Sequence, residues 1–172
     1  MDLKKLIRNV PDFPVEGIQF KDVTTLLKNG DAFAHAVDLM YDPFRDEDIT
    51  KIVGIEARGF IFGAAMAYKL NIGFVPIRKP GKLPAETIAE EYVLEYGKNV
   101  IEMHIDGIGE DDRVLIVDDL LATGGTAAAA CRLIEKLNGT IVGLSFLIEL
   151  TELKGREQLA QYPVHAVIQY PI

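Results

Sequence analysis

The sequence predicts an α/β fold of the doubly wound class, with a mainly parallel central sheet flanked by helices. Three observations predict it. Short apolar runs at Lys51–Ile55, Gly73–Ile77, Arg113–Val117 and Thr140–Ile148 read as strands buried on both faces. Segments of helical spacing lie between them, at Phe60–Leu70 and from about Gly125 to Leu137. The 172 residues carry no internal repeat, low-complexity tract or long polar linker, so residues 1–172 read as a single domain.

Each element has a local cause. Leu3, Leu6 and Ile7 have helical spacing, and the Pro11 to Pro14 stretch ends that short helix. The rest of residues 1–30 reads as a turn-rich hood. Asp31 is the expected N-cap of a helix whose Phe33, Ala36, Val37, Met40 and Tyr41 repeat at three and four residues. In the helix from Gly125, Cys131, Ile134 and Leu137 face inward, and Asn138-Gly139 is the stop signal. Residues 79–98 are rich in Pro, Gly and Glu with no clear core face, which suggests a lid loop more than a passive connection.

Composition excludes several function classes. With 49% apolar and 26% charged residues the chain is neither disordered nor a disulfide scaffold. A net charge of -8 argues against nucleic-acid binding, which relies on lysine and arginine to neutralise phosphates. Any polyanion bound must be small and held by local groups. The one cysteine, Cys131, cannot form an internal disulfide and reads as a buried, inert thiol, which fits a reducing compartment, the cytoplasm. The N-terminus has no apolar run of signal-peptide length, and no stretch approaches the roughly 20 apolar residues that span a bilayer, so no membrane partner is expected. His35, His104 and His165 lack ligand-like spacing, so no structural zinc is expected.

Ligands of doubly wound sheets sit at the carboxyl ends of strands. There, VLIVDDLLATGGT (Val114 to Thr126) joins a buried strand to two acids, a threonine-glycine turn and a helix start. Gly124 and Gly125 let the backbone approach a ligand closely. The amides of Ala122 to Thr126 and the hydroxyls of Thr123 and Thr126 can point at phosphate oxygens. Asp118 and Asp119 can accept hydrogen bonds from adjacent ribose hydroxyls. Two acids beside a phosphate nest describe a site for ribose 5-phosphate. A bare TGGT is as readily a plain turn, so the whole string carries the reading. The P-loop and GxGxxG spacings are absent.

This string resembles the phosphoribosyl-pyrophosphate-binding motif of type I phosphoribosyltransferases, in the form found in members that act on adenine. The resemblance extends, in the family's order, through PDFPVEGIQFKDVT, GIEARGFIFGA, IRKPGKLP, YVLEYGK and ELTELKGRE. It implies the type I fold with a small hood (about 1–30) and a flexible lid (about 79–98). The implied activity converts adenine and 5-phosphoribosyl 1-pyrophosphate to AMP and pyrophosphate, with Mg²⁺ carried by substrate oxygens more than by a protein cage. A homodimer is implied as well.

Further site residues follow from strand ends and from the resemblance. Arg58, just past the strand ending at Ile55, is placed to meet an anion. By resemblance the loop of Glu56, Ala57 and Arg58 binds pyrophosphate, often through a non-proline cis peptide. Arg78, Lys79 and Lys82 form a basic cluster suited to balancing that leaving group. The resemblance allows one of them to serve a neighbouring subunit's site. Closing a lid would protect an oxocarbenium-like state from water. Attack by adenine N9 requires a proton acceptor. Hypoxanthine-type relatives carry a second acid where this chain has Ala122, and the resemblance gives the role to Glu95, with Tyr96 beside it in the lid. For the base, the Phe20 ring can stack on a purine, Leu120 can cover its other face, and backbone groups around Gln19 and Lys21 can read its edge. Gln19 departs from the aliphatic residue expected there. Xanthine or hypoxanthine remains an alternative base. A regulator that binds phosphoribosyl pyrophosphate without turnover is a different class of reading, set against this chain's lack of an added DNA-binding segment.

Overall fold

The computed structural model describes residues 1–94 and 97–172. The chain opens with a 3-10 turn at Leu3–Leu6. Strands β1 (Arg8–Pro11) and β2 (Gln19–Asp22) then pair antiparallel, with Val10 opposite Phe20. A short helix α1 (Thr24–Leu27) follows, and then α2 (Gly30–Tyr41). The cap of α2 is Asn29, whose side chain accepts from the Ala32 amide, and not Asp31, which lies inside the first turn.

A five-stranded sheet forms the centre. Its members are β3 (Lys51–Ile55), β4 (Gly73–Ile77), β7 (Arg113–Leu121), β8 (Thr140–Leu150) and β9 (Val164–Tyr170). All its pairings are parallel, in the order β4-β3-β7-β8-β9. Helix α3 (Arg58–Leu70) connects β3 to β4 and helix α4 (Gly125–Lys136) connects β7 to β8. The connections therefore leave β3 and β7 in opposite directions along the sheet, which makes the gap between these two strands the topological switch point.

Side-chain alternation along the strands supplies two cores. Ile52, Leu115 and Val117 face α2 and α3, packing with Met40, Phe62 and Met66. Val53, Ile55, Val114 and Ile116 face the other way, against Ala130, Leu133 and Ile134 of α4. A second hairpin, β5 (Thr87–Leu94) with β6 (Gly97–His104), covers part of that face through Ile88, Tyr92, Ile101 and Met103. This corrects the expectation of a loop without a core face over residues 79–98. Charges alternate with the apolar residues there, and Glu90 pairs with Arg132 and Lys136 of α4. Among the described residues no helix is long and apolar enough to cross a membrane.

The hood is tied by Asp22, which accepts from the Thr24 hydroxyl at 2.7 Å and amide at 2.9 Å and pairs with Arg8 at 2.6 Å. These partners hold its carboxyl down to about 2. The ionised Asp22 thus stabilises the hood fully above its ordinary value of 3.8, and that contribution disappears as pH falls towards about 2. Amide hydrogen exchange in β1 and β2 should accelerate across this window in the native chain and lose the dependence in Asp22→Asn. Phe62 is fully buried and stacks on Phe33 at 5.8 Å. Phe62→Ala should cost about 4 kcal/mol in urea denaturation, the cost of a cavity under α3.

Candidate active site

Strand β7 outruns its neighbour. It pairs with β3 only as far as Gly54 opposite Val117, but with β8 as far as Leu121 opposite Glu149. Asp118 to Leu121 therefore stand beyond the end of β3. The expected strand end at Val117 is corrected accordingly: the two acids lie on the strand. A cavity of about 270 Å³ opens beside this overhang. Its walls are Glu56, Ala57 and Arg58 after β3, Arg78 and Lys79 after β4, Tyr92 of β5, and the whole run from Asp118 to Thr126.

Helix α4 begins in this cavity. Gly124 caps it with φ +89°, and no side chain among the described residues caps it by hydrogen bond. The first-turn amides of a helix lack intrahelical acceptors, so those of Gly125 and Thr126 are available at the cavity wall, beside the hydroxyls of Thr123 and Thr126. That is the composition of an anion site.

The expected pyrophosphate residues divide. Ala57 and Arg58 line the cavity, and the Glu56–Ala57 peptide is cis, as the resemblance implied for this loop. The Arg58 Nε donates to Asp119 at 2.5 Å and its guanidinium lies 5.6 Å from the Phe20 ring. The remaining guanidinium hydrogens can meet a further anion. Arg78 and Lys82 both turn to Glu56, at 3.0 and 3.9 Å, and the Lys79 amide donates to the same carboxylate. Burial works against the charge on Glu56, but the Lys79 amide and the Arg78 guanidinium outweigh it and hold the carboxyl below its usual range. Lys82 does not line the cavity and meets it through Glu56, which does.

A cleft of about 120 Å³ adjoins this site through Arg58, Asp119 and Leu120. It is lined by Gln19, Phe20 and Lys21 of β2 on one side and by Ile148 and Leu150 of β8 on the other. The Gln19 and Lys21 side chains are engaged by Asn9 at 2.7 and 2.8 Å. Among the described residues β2 pairs only with β1, so its outer edge keeps backbone donors and acceptors. Glu95 and Tyr96, expected as proton acceptor and lid residue, lie outside the described residues.

Sequence reasoning placed Glu56 in the pyrophosphate loop without giving its side chain a role, and did not single out Tyr92, Ile148 or Leu150. Glu56 had a signal in its place directly after a strand. Tyr92 had none, because β5 was not read as a strand.

A phosphoribosyl transferase domain model matches residues 22–165. The chain belongs to the phosphoribosyltransferase family. It is similar to proteins named adenine phosphoribosyltransferase from Brachyspira hyodysenteriae, 57% identical over 99% of this chain and 100% of that one. The protein of that name from Halothermothrix orenii is 60% identical over 98% of this chain and 99% of its own. A crystal structure of adenine phosphoribosyltransferase from Rhodothermus marinus, 56% identical, covers 98% of this chain and 96% of its own with a TM-score of 0.94. The Saccharomyces cerevisiae enzyme, complexed with an imino-altritol bisphosphate and adenine, is 40% identical, covers 96% of both chains and has a TM-score of 0.91. The mainly parallel sheet and its flanking helices are the type I phosphoribosyltransferase fold.

In this phosphoribosyltransferase site the two adjacent acids are not equivalent. Asp119 is buried and paired with Arg58. Burial, and next the charge of Asp119, push the Asp118 carboxyl well above its usual range. The fold therefore favours neutral Asp118, and the stability this contributes is present below the ordinary value of 3.8 and lost as pH rises through the raised one. Asp118→Asn should accordingly melt at a higher temperature than the native chain at pH 7, with the advantage shrinking towards pH 4. The same variant should bind ribose 5-phosphate about fivefold more weakly, the scale of one lost hydrogen bond. A variant less stable at every pH would contradict this account.

Proposed function

We propose that the chain converts adenine and 5-phosphoribosyl 1-pyrophosphate to AMP and pyrophosphate, a step of purine salvage. The observation that carries the reading is the junction of two cavities: the cavity at the start of α4 adjoins, at Asp119 and Arg58, a cleft lined by Phe20 and Leu120. The names of relatives more than half identical over nearly the whole chain agree with it.

In this reading the loop Ala122 to Thr126 holds the 5-phosphate, and Asp118 and Asp119 accept from the ribose hydroxyls. Arg58, the Ala57 backbone, Arg78, Lys79 and, through Glu56, Lys82 balance the pyrophosphate. Adenine lies between Phe20 and Leu120, its edge against the backbone of Gln19 to Lys21. The bond from the anomeric carbon to pyrophosphate breaks as the bond from N9 forms, so positive charge gathers on the ribose ring between two anionic groups. The N9 proton passes to Glu95, and Tyr96 and the rest of residues 79–98 shield the reacting carbon from water.

Mg²⁺ entering with the substrate would neutralise part of the pyrophosphate charge. Asp118 and Asp119, on the cavity wall, are the protein carboxylates that would be available to it beside the substrate's own oxygens. We further place the protein in the cytoplasm as a homodimer. The buried Cys131, its thiol pushed up to about 12 by burial, is compatible with that compartment.

Pyrophosphate release with Mg²⁺ should occur with adenine and not with hypoxanthine, guanine, xanthine, uracil or orotate. Glu95→Gln should lower kcat about 100-fold, the scale of general base catalysis. Turnover with an oxopurine would overturn the base assignment, an unaffected variant would remove Glu95 from the mechanism, and tight substrate binding without turnover would identify a sensor.

A further inference from the structure

We propose that Gly155 to Gln158 form a buttress that aims the phosphate loop, with Gln158 and Arg156 as positioning residues for the sugar 5-phosphate. The proposal rests on reading residues 122–126 as the phosphate site.

Two backbones meet here at a distance that side chains forbid. A Cβ on Gly124 would stand 2.5 Å from the Gly155 carbonyl oxygen, and a Cβ on Gly155 would stand 2.5 Å from the Ala122 carbonyl oxygen. Beside this contact the Gln158 Nε2 donates to the Thr123 carbonyl at 2.6 Å. The C=O and N–H of a trans peptide point in opposite directions. Carbonyls of Ala122 and Thr123 held towards residues 155–158 therefore present the amides of Thr123 and Gly124 away from the buttress. The cavity is lined by Ala122, Thr123 and Gly124. The buttress thus turns donors towards the ligand that would otherwise rotate freely with the loop.

The buttress is itself anchored. The Arg156 Nε donates to both oxygens of Glu149, at 3.0 and 2.8 Å, and its Nη1 to the Val164 carbonyl at 2.7 Å. Glu149 is buried and also accepts from Gln169 at 2.9 Å. Its strand neighbours Ile148 and Leu150 line the cleft assigned to the base. One half-buried ion pair therefore ties the back of the phosphate loop to the wall of the base cleft, and so sets the separation of the two substrates.

Gln158 is exposed, so its replacement tests the idea without disturbing the core. Gln158→Met keeps the length and removes the donor. The dissociation constant for ribose 5-phosphate and the KM for phosphoribosyl pyrophosphate should each rise about fivefold, the worth of a single hydrogen bond. KM for adenine and the melting temperature should stay at their native values, and amide exchange should quicken at residues 123–126 alone. Native affinity and native exchange in the variant would overturn the proposal. So would equal losses for both substrates with a lowered melting temperature, which would mark a merely structural role. If the native chain itself fails to bind ribose 5-phosphate, the phosphate-site reading falls and takes the buttress with it.

Discussion

The unequal length of neighbouring strands shapes everything at the active end of this protein. β7 is supported along one edge by β8 as far as Leu121, while β3 stops pairing with it at Val117. A strand edge left without a neighbour normally invites another chain or must be covered. Here the overhang faces inward across the switch point, and the wall opposite is made by the turn that starts α3. The sheet remains a regular parallel array below, with apolar side chains buried on both faces. Above the level of Val117 it becomes a cleft with acids on one wall and a guanidinium on the other. A longer β3 would complete the ladder and close the site.

How far this was legible from the sequence depended on how each residue's environment differs from one side to the other. β3 is buried on both faces and so is a continuous apolar run, which is why Lys51–Ile55 was read with its observed bounds, and the edge strand Gly73–Ile77 was read likewise because its residues carry no charge. Helix α4 was marked by the glycines before it and by Asn138-Gly139 after it. β5 and β6 were missed because only one of their faces is buried, and because Glu90 and Glu91 lend that segment the look of a solvated loop until α4 supplies Arg132 and Lys136. β9 escaped because His165 and Gln169 interrupt its apolar run, as half-buried positions at the edge of the sheet allow. At the site, the loop from Asp118 to Thr126 was readable because its chemistry is contiguous. The Glu56 cluster was half-read, since three positive residues stood out in the sequence but the carboxylate that gathers them lies on a different strand end. The contact between Gly124 and Gly155 had no local signal at all, being made by two backbones thirty-one positions apart.

Charge is handled locally throughout. The chain as a whole is acidic, with a net charge of -8, and would repel a polyanionic substrate at long range. Screening at physiological ionic strength confines that repulsion to roughly 8 Å, so a few well-placed cations decide what enters. Those cations are not left bare. Glu56 is shared between Arg78 and Lys82, and Asp119 pairs with Arg58. An incoming ligand must compete with these internal carboxylates, which favours a multiply charged group able to engage several cations together over a single phosphate or a chloride ion.

Helix α4 begins at a glycine in left-handed backbone, with no side chain among the described residues to satisfy its first turn. Most helices carry that partner in their own sequence. On the proposed reading of residues 122–126, a bound phosphate would be the missing cap, and whatever free energy it contributed to the helix it would also contribute to the folded state as a whole. Its resistance to unfolding would then rise and fall with the concentration of sugar phosphate around it, so that an enzyme of this design would be best protected when it has work to do.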